Sequence, residues 1–150
     1  VNPSFPKYQL TGVFNLELAR LYHYLFQKTE QQVTVLYDLK GYDEISLTGP
    51  TKALSKNSER VLTPADFGVE SLLAQDISGG SNVASSAEIF MNVIQNKGTQ
   101  AQQNVICANA GMAIATALNL SPIDGFEKAK ESLQSGKALH ALTTLQKLSL

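Results

Sequence analysis

The sequence lacks tryptophan and has a single cysteine, Cys107, so no disulfide can form within the chain. This excludes the small secreted domains that depend on disulfides, and a cytoplasmic location is expected. No apolar run approaches the roughly 20 residues of a transmembrane helix. The N-terminal residues contain neither a basic stretch nor an apolar core, so no signal peptide is predicted.

Charge of either sign is also scarce, since charged residues make up 17% of the chain and its formal net charge is −1. Such a chain has no overall field that would attract nucleic acid or an anionic membrane. Near the C-terminus, Lys128, Lys130 and Lys137 are mixed with Glu127 and Glu131, which is typical of a solvated helix face. We therefore expect neither nucleic acid nor a membrane as a partner.

Apolar residues, in contrast, are plentiful. They make up 43% of the 150 residues, a normal share for one globular domain. A domain of this length typically buries about 68–70% of the surface that its unfolded chain exposes. The sequence therefore predicts a single unit, residues 1–150, with a sizeable core.

The first half of the chain predicts a helix, a strand and a hairpin. Apolar residues at helical spacing begin at Phe14, with Asn15 as the N-cap. Residues 32–37 form a nearly continuous β-branched run, typical of a strand that is buried on both faces. Residues 51–63 predict a short hairpin at a sheet edge, whereas residues 1–12 have no clear period and predict an extended segment.

The second half predicts helices. Ser85 is the expected N-cap of the first, with Glu88 completing a capping box, and the helix is expected to end at Gly98. Thr99 is the expected cap of the next helix, in which residues 105–118 are apolar on every face. A helix without a polar stripe is buried, so this one is predicted to lie at the centre of the core.

Two more helices follow. Ser121 and Pro122 begin one, Gly136 ends it, and Ser135 is a candidate cap for the last. The inner face of the last helix is predicted to hold Ala138, Leu142 and Leu145. A helix followed by a buried strand is half of a βαβ unit. The predicted fold class is therefore α/β, with a central, mostly parallel sheet, flanking helices and a small β-hairpin.

Two adjacent carboxylates, Asp43 and Glu44, follow the predicted strand and are the leading candidates for a site. Gly41 allows the chain to bend before them, and ligands of open α/β sheets gather beyond the carboxyl ends of the strands. Mg²⁺ prefers oxygen ligands and often combines one or two carboxylates with substrate phosphates. Taken alone, however, the pair is more simply explained as two solvated acids in a turn, because adjacent Asp and Glu residues are common.

Other candidates have weaker signals. The Gly-Gly pair in residues 78–81 could hold a phosphate by backbone N–H groups, but a lone Gly-Gly is a weak signal and a plain loop is the simpler explanation. Cys107 lies in the most apolar helix, and neither it nor His23 or His140 occurs in a catalytic spacing. Four tyrosines could stack on a base, although their apolar neighbours favour core positions: Tyr22, Tyr24, Tyr37 and Tyr42.

Several short motifs occur together in the order in which they are found in anthranilate phosphoribosyltransferases, and the chain resembles that family over essentially its whole length. The motifs are residues 2–3, 9–14, 41–46, 50–51, 63–68, 109–111 and 135–138. Gly41-Tyr42-Asp43-Glu44 is similar to the family's Gly-Leu-Asp-Glu metal motif, with Tyr42 in place of Leu. The loop at residues 78–86 departs from the family's pattern, so no site is assigned to it.

The resemblance implies a function for the carboxylate pair. Asp43 and Glu44 would bind the Mg²⁺ ions that neutralise the pyrophosphate of phosphoribosyl pyrophosphate (PRPP), with Glu44 shared where two ions bind. The amine of anthranilate would then attack the ribose C1 and expel pyrophosphate, a step of tryptophan biosynthesis. No catalytic side chain is assigned, and substrate-binding residues are not identified, because the family's phosphate loop precedes the point that matches Val1.

The resemblance also implies an organisation. Residues 1–150 are expected to form the C-terminal portion of the α/β domain found in nucleoside phosphorylases and phosphoribosyltransferases, without the N-terminal helical domain that forms the family's homodimer interface. These residues alone are therefore expected to be inactive. Two alternatives stay open: a related phosphorylase or transferase with another acceptor, and a non-enzymatic scaffold domain of the same fold.

Overall fold

The structure is a computed structural model, and it describes residues 4–149. The motif at residues 2–3 lies outside this range. The strands are β1 (Tyr8–Gly12), β2 (Gln32–Asp38), β3 (Thr51–Ser55) and β4 (Ser58–Leu62). The α-helices are α1 (Leu16–Gln27), α2 (Val83–Ile94), α3 (Gln100–Leu118), α4 (Pro122–Gln134) and α5 (Lys137–Leu148). Two short 3₁₀ helices, Pro64–Phe67 and Ala74–Ile77, lie between β4 and α2.

The strands form one mixed sheet in the order β1-β2-β3-β4. β1 and β2 are parallel and are connected by α1, whereas β3 is antiparallel to β2 and to β4. The α/β class, the flanking helices and the edge hairpin are confirmed. Parallel pairing among the described residues is confined to the β1-α1-β2 unit, because the hairpin follows β2 without a crossover helix and so pairs antiparallel.

Both faces of β2 are covered, as the continuous apolar run predicts. Val33 and Val35 face the side of the sheet that packs against Ala19 and the rest of α1. Leu36 faces the opposite side, where the loop after β2, the hairpin and helices α3 and α4 form the larger part of the core. The buried members of that larger cluster include Ile45, Leu47, Phe67, Cys107, Ala108, Met112, Phe126 and Leu133.

Helices α3 and α4 cross at close range because glycine lies at the crossing. A Cβ on Gly111 would come within 2.6 Å of the backbone nitrogen of Phe126, closer than packed atoms approach one another. The predicted central position of α3 is confirmed by Cys107, Ala108 and Met112, all buried. The predicted burial of α3 on every face is wrong, since Ile106 is 48% exposed.

The predicted start of α2 is wrong by three residues. Asn82 is the N-cap, and its side chain accepts a hydrogen bond from the backbone N–H of Ser85. The Ser85 hydroxyl accepts in return from the Asn82 N–H, so Ser85 takes the place in the capping box that was assigned to Glu88. The predicted end is also wrong, because the chain leaves the helix after Ile94. Asparagine is as good an N-cap as serine, so sequence alone did not separate the two sites.

The last helix is less buried than predicted. Gly136 is its N-cap, and Ser135 is the C-cap of α4. Ala138 and Leu142 are half-buried, but Leu145 is 62% exposed because α5 contacts the rest of the described chain mainly through α4.

No single helix within residues 4–149 has the length and apolar character needed to cross a bilayer. Helices α3 and α4 meet those criteria only as a pair with a bend of 116° between them.

Candidate metal centre at the end of the parallel strands

The segment from residue 39 to residue 50 connects β2 to β3 and carries both candidate ligands; it is called the carboxylate loop below. Because β1 and β2 are parallel, their carboxyl ends, Gly12 and Asp38, lie at the same edge of the sheet, and the loop lies there. Asp43 and Glu44 are both exposed. This is the edge at which open α/β sheets bind their ligands.

The backbone of the loop touches the end of β1. A Cβ built on Gly12 would lie 2.7 Å from the carbonyl carbon of Asp43 and closer still to its oxygen. Only glycine therefore fits at this position without moving the loop. The close approach places Asp43 directly over the end of the first strand.

The side chain of Asp38, the last residue of β2, attaches the carboxylate loop to the sheet by hydrogen bonds. Its side chain is completely buried. Oδ1 accepts a hydrogen bond from the backbone N–H of Lys40 at 2.7 Å. Oδ2 accepts from the N–H of Ser46 at 3.2 Å, from the Ser46 hydroxyl at 2.8 Å and from the Thr51 hydroxyl at 3.2 Å. One carboxylate thus joins the beginning of the loop, its later part and the start of β3.

The side chain of Asn109 attaches the carboxylate loop to helix α3 by two hydrogen bonds. Its Oδ1 accepts from the backbone N–H of Ile45 at 3.0 Å, and its Nδ2 donates to the carbonyl oxygen of Ile45 at 2.9 Å. The same Nδ2 also donates to the carbonyl of Val105 within the helix. The residue after Glu44 is therefore fixed at both of its backbone polar groups.

The apolar residues of the loop complete its attachment. Ile45 and Leu47 are fully buried in the core cluster that includes α3 and α4. Leu47 has φ of 59°, a conformation that is rare for a branched residue, and its carbonyl accepts a hydrogen bond from Leu72 at 2.9 Å. The half of the loop after Glu44 is thus anchored in the core, while the half containing Asp43 and Glu44 faces solvent.

The two exposed carboxylates fit part of a magnesium site. Neither side chain is engaged in a hydrogen bond or ion pair within residues 4–149, so all four oxygens are free to accept a ligand. No group of three or more His, Cys, Asp or Glu side chains able to hold a metal ion occurs in the described chain. Mg²⁺ requires six oxygen ligands, so water and phosphate oxygens would have to supply the others.

The structure gives no functional site to the other candidates from the sequence, which are the cysteine, the two histidines and the Gly-Gly loop. Burial raises the pKa of the Cys107 thiol, which keeps it protonated and unreactive. His23 bonds to Gln27 on the surface of α1, and His140 is exposed on α5. The loop containing Gly80 packs closely on the first turn of α2, where a Cβ would lie 2.6 Å from the carbonyl carbon of Ser85.

The tyrosine prediction is confirmed for two residues and wrong for two. Tyr22 and Tyr37 pack against the smaller core cluster beside α1. Tyr24 is 62% exposed and Tyr42 is 39% exposed, because the first faces outward on α1 and the second lies in the carboxylate loop.

Comparison with known proteins identifies the family. A family model described as the a/b domain of a glycosyl transferase family matches residues 1–139. The chain belongs to this family.

Its sequence relatives within the family agree with the resemblance seen in the motifs. The chain is 62% identical over 149 residues to an anthranilate phosphoribosyltransferase of Christiangramia forsetii, covering 99% of this chain and 45% of that protein. It is 61% identical over 150 residues to one of Flavobacterium psychrophilum, covering 100% of this chain and 46% of that protein. The chain therefore spans a little under half the length of these relatives.

Solved structures of the glycosyl transferase fold confirm the architecture. An anthranilate phosphoribosyltransferase from Saccharomyces cerevisiae in complex with PRPP and Mg superposes with a TM-score of 0.81 at 24% identity, covering 93% of this chain and 40% of that one. Another from the same organism, in complex with 4-fluoroanthranilate, gives a TM-score of 0.82 at 22% identity, covering 91% of this chain and 41% of that one. At 22–24% identity, these superpositions show a shared fold alone.

Replacing Asn109 by Leu is expected to destabilise the protein by about 1–3 kcal/mol, because the N–H and C=O of buried Ile45 would lose their partner. Urea unfolding measures this cost, and hydrogen exchange should increase at residues 43–47. Asn104→Leu on the same helix is the matched control, since the side chain of Asn104 accepts one surface hydrogen bond, from Gln100, and makes no other to the part of the chain that the structure describes. Equal effects of the two substitutions would show that Asn109 does not hold the loop.

Proposed function

We propose that the full-length protein transfers the phosphoribosyl group of PRPP to anthranilate in tryptophan biosynthesis, and that Asp43 and Glu44 bind the Mg²⁺ required. The observation that carries the proposal is the pair of free carboxylates held at the carboxyl edge of the parallel strands, inside the Gly-x-Asp-Glu motif. The names of the sequence relatives and the PRPP–Mg complex of the yeast structure support it.

The chain's own residues contribute a fixed anionic surface. Asp43 and Glu44 would hold the metal ion, which supplies charge neutralisation for the departing pyrophosphate. Asp38 and Asn109 keep the loop in place before substrate arrives, so little reorganisation is needed when charge develops. In the reaction the bond between ribose C1 and the pyrophosphate oxygen breaks, a bond forms from C1 to the anthranilate nitrogen, and that nitrogen loses a proton.

The remaining parts of the active site are proposed to lie outside these 150 residues. Residues 1–150 would be the C-terminal portion of the α/β domain, with the phosphate loop, the anthranilate-contacting residues and a dimerising helical domain elsewhere in a cytoplasmic homodimer. Because the carboxylates are only part of a site, we expect residues 1–150 alone to show no transferase activity. No catalytic side chain is assigned to this chain.

The proposal is tested by assaying the full-length protein with two substrate pairs. We expect Mg²⁺-dependent release of pyrophosphate when PRPP and anthranilate are supplied together, and no reaction when a nucleoside and inorganic phosphate replace them. Phosphorolysis of the nucleoside without transfer to anthranilate would instead identify a related phosphorylase. Failure to bind PRPP and Mg²⁺ in calorimetry would identify a scaffold domain that shares the fold.

A further inference from the structure

Asp38 is the one carboxylate of the described chain that is completely buried, and a charged residue is unusual at the end of a mostly apolar strand. It ends β2, where the preceding residues are Val, Leu and Tyr. None of the three ion pairs among residues 4–149 involves it. A buried carboxylate is costly unless hydrogen bonds satisfy it, and here every donor comes from the carboxylate loop or from the start of β3.

The two carboxylate oxygens of Asp38 hold the carboxylate loop on either side of Asp43 and Glu44. Oδ1 accepts a hydrogen bond from the backbone N–H of Lys40, and Oδ2 accepts one from the backbone N–H of Ser46. These two residues flank Asp43 and Glu44. The bond from the Asp38 N–H to the carbonyl of Tyr42 at 3.2 Å adds a third attachment immediately before the pair.

We propose that Asp38 is a positioning residue for the metal site, setting the conformation in which Asp43 and Glu44 face a Mg²⁺ ion together. It does so through the loop backbone and does not contact the ion. This inference rests on the proposed function, because it assigns a role to Asp38 in the site formed by that carboxylate pair.

A carboxylate is required for this role and an amide cannot replace it. Asparagine has a single acceptor oxygen, while the backbone N–H groups of Lys40 and Ser46 bond to separate oxygens. In Asp38→Asn one of these backbone N–H groups would face the NH₂ group of the asparagine. Both groups are hydrogen-bond donors, so no hydrogen bond can form between them. The hydroxyls of Ser46 and Thr51 could adapt by rotation, so the disturbance is confined to the backbone attachment on one side of Asp43 and Glu44.

The test measures Mn²⁺ affinity of the full-length protein in the presence of PRPP, by electron paramagnetic resonance, for four proteins. They are wild type, Asp38→Asn, the reference Asp43→Asn with Glu44→Gln, and the control Asp66→Asn. Asp66 also accepts backbone and hydroxyl hydrogen bonds, both from Thr63, but it lies beyond the hairpin and outside the loop. Hydrogen exchange at residues 40–47 and the apparent Mg²⁺ requirement for turnover are measured in parallel.

We expect Asp38→Asn to weaken Mn²⁺ binding by about 10-fold or more, as loss of a residue that orients metal ligands does. Exchange at residues 40–47 should increase, and raising Mg²⁺ should restore part of the turnover. Asp66→Asn should change Mn²⁺ affinity by less than about 2-fold. If Asp38→Asn does not fold, Thr51→Val, which removes one hydroxyl donor from Oδ2, is expected to weaken Mn²⁺ binding by a smaller factor of about 2–3.

An unchanged Mn²⁺ affinity in Asp38→Asn, or in Thr51→Val where that variant is used, would overturn the proposal if the reference double variant loses its binding. Asp38 would then be a structural residue only. Unchanged affinity in the reference variant as well would contradict the assignment of the metal to Asp43 and Glu44. The two failures are therefore distinguishable.

Discussion

Replacing Asp43 by Asn and Glu44 by Gln together in the full-length protein is expected to lower anthranilate-dependent turnover by about 1,000-fold. The amides keep the shape of the loop but remove both negative charges, and charge stabilisation by a bound metal ion is worth several kcal/mol. A loss of ~4 kcal/mol in transition-state stabilisation corresponds to this change in rate. Because both side chains are exposed and make no hydrogen bond within residues 4–149, the stability of the fold should be nearly unchanged.

The matched control for this variant removes two exposed carboxylates elsewhere. Glu30→Gln combined with Glu88→Gln makes the same change in net charge, and both residues are exposed and lie outside the carboxylate loop. Turnover of the control should stay within about 2-fold of wild type, as is usual for surface substitutions outside a site. Near-normal turnover of the Asp43 and Glu44 variant at saturating Mg²⁺ would show that the pair is only a solvated turn.

Replacing Gly12 by Ala is expected to have the next largest effect, about 100-fold on turnover. The new methyl group would occupy the space of the Asp43 carbonyl, so the backbone that carries the ligand pair must move away from β1. A displacement of about 1 Å in a positioned group is enough for a rate loss of this size. Overpacking should also lower the free energy of unfolding by about 1–3 kcal/mol, measured in urea.

Gly79→Ala provides the control for the Gly12 variant. A Cβ at Gly79 meets no atom within 4 Å, so the same chemical change is made without a collision. We expect wild-type turnover and stability from it. If Gly12→Ala also kept wild-type turnover, the contact between β1 and the carboxylate loop would have no bearing on the site.

The elements that sequence patterns predicted correctly are those specified by neighbouring residues. The cap at Asn15, the run of β2, the hairpin and the cap at Thr99 all depend on residues a few positions apart. β1 was expected only as part of an extended segment. The strand has only five residues, most of them half-buried, so its pattern is weak. It forms because these residues pair with β2, to which α1 connects them.

The same distinction applies to the residues of the candidate site. Asp43 and Glu44 could be proposed from a motif, because their chemistry is visible in consecutive residues. Gly12 and Asn109 also lie in the motifs, but their role in holding the pair could not be predicted. Asn109 bonds to Ile45 across a separation of 64 residues, and Gly12 meets Asp43 only because the sheet brings them together. Asp38 did carry a signal: an acid that ends a buried apolar strand needs several hydrogen-bond donors around it.

The most direct test of the metal assignment is a crystal structure of the full-length protein with PRPP and Mn²⁺, using the anomalous signal of manganese to locate the ion. The account predicts an anomalous peak bonded to carboxylate oxygens of both Asp43 and Glu44, at roughly the 2.1 Å typical of Mg²⁺ sites, with phosphate oxygens of PRPP completing the coordination. A peak coordinated by PRPP and other residues, with Asp43 and Glu44 left in solvent, would contradict it.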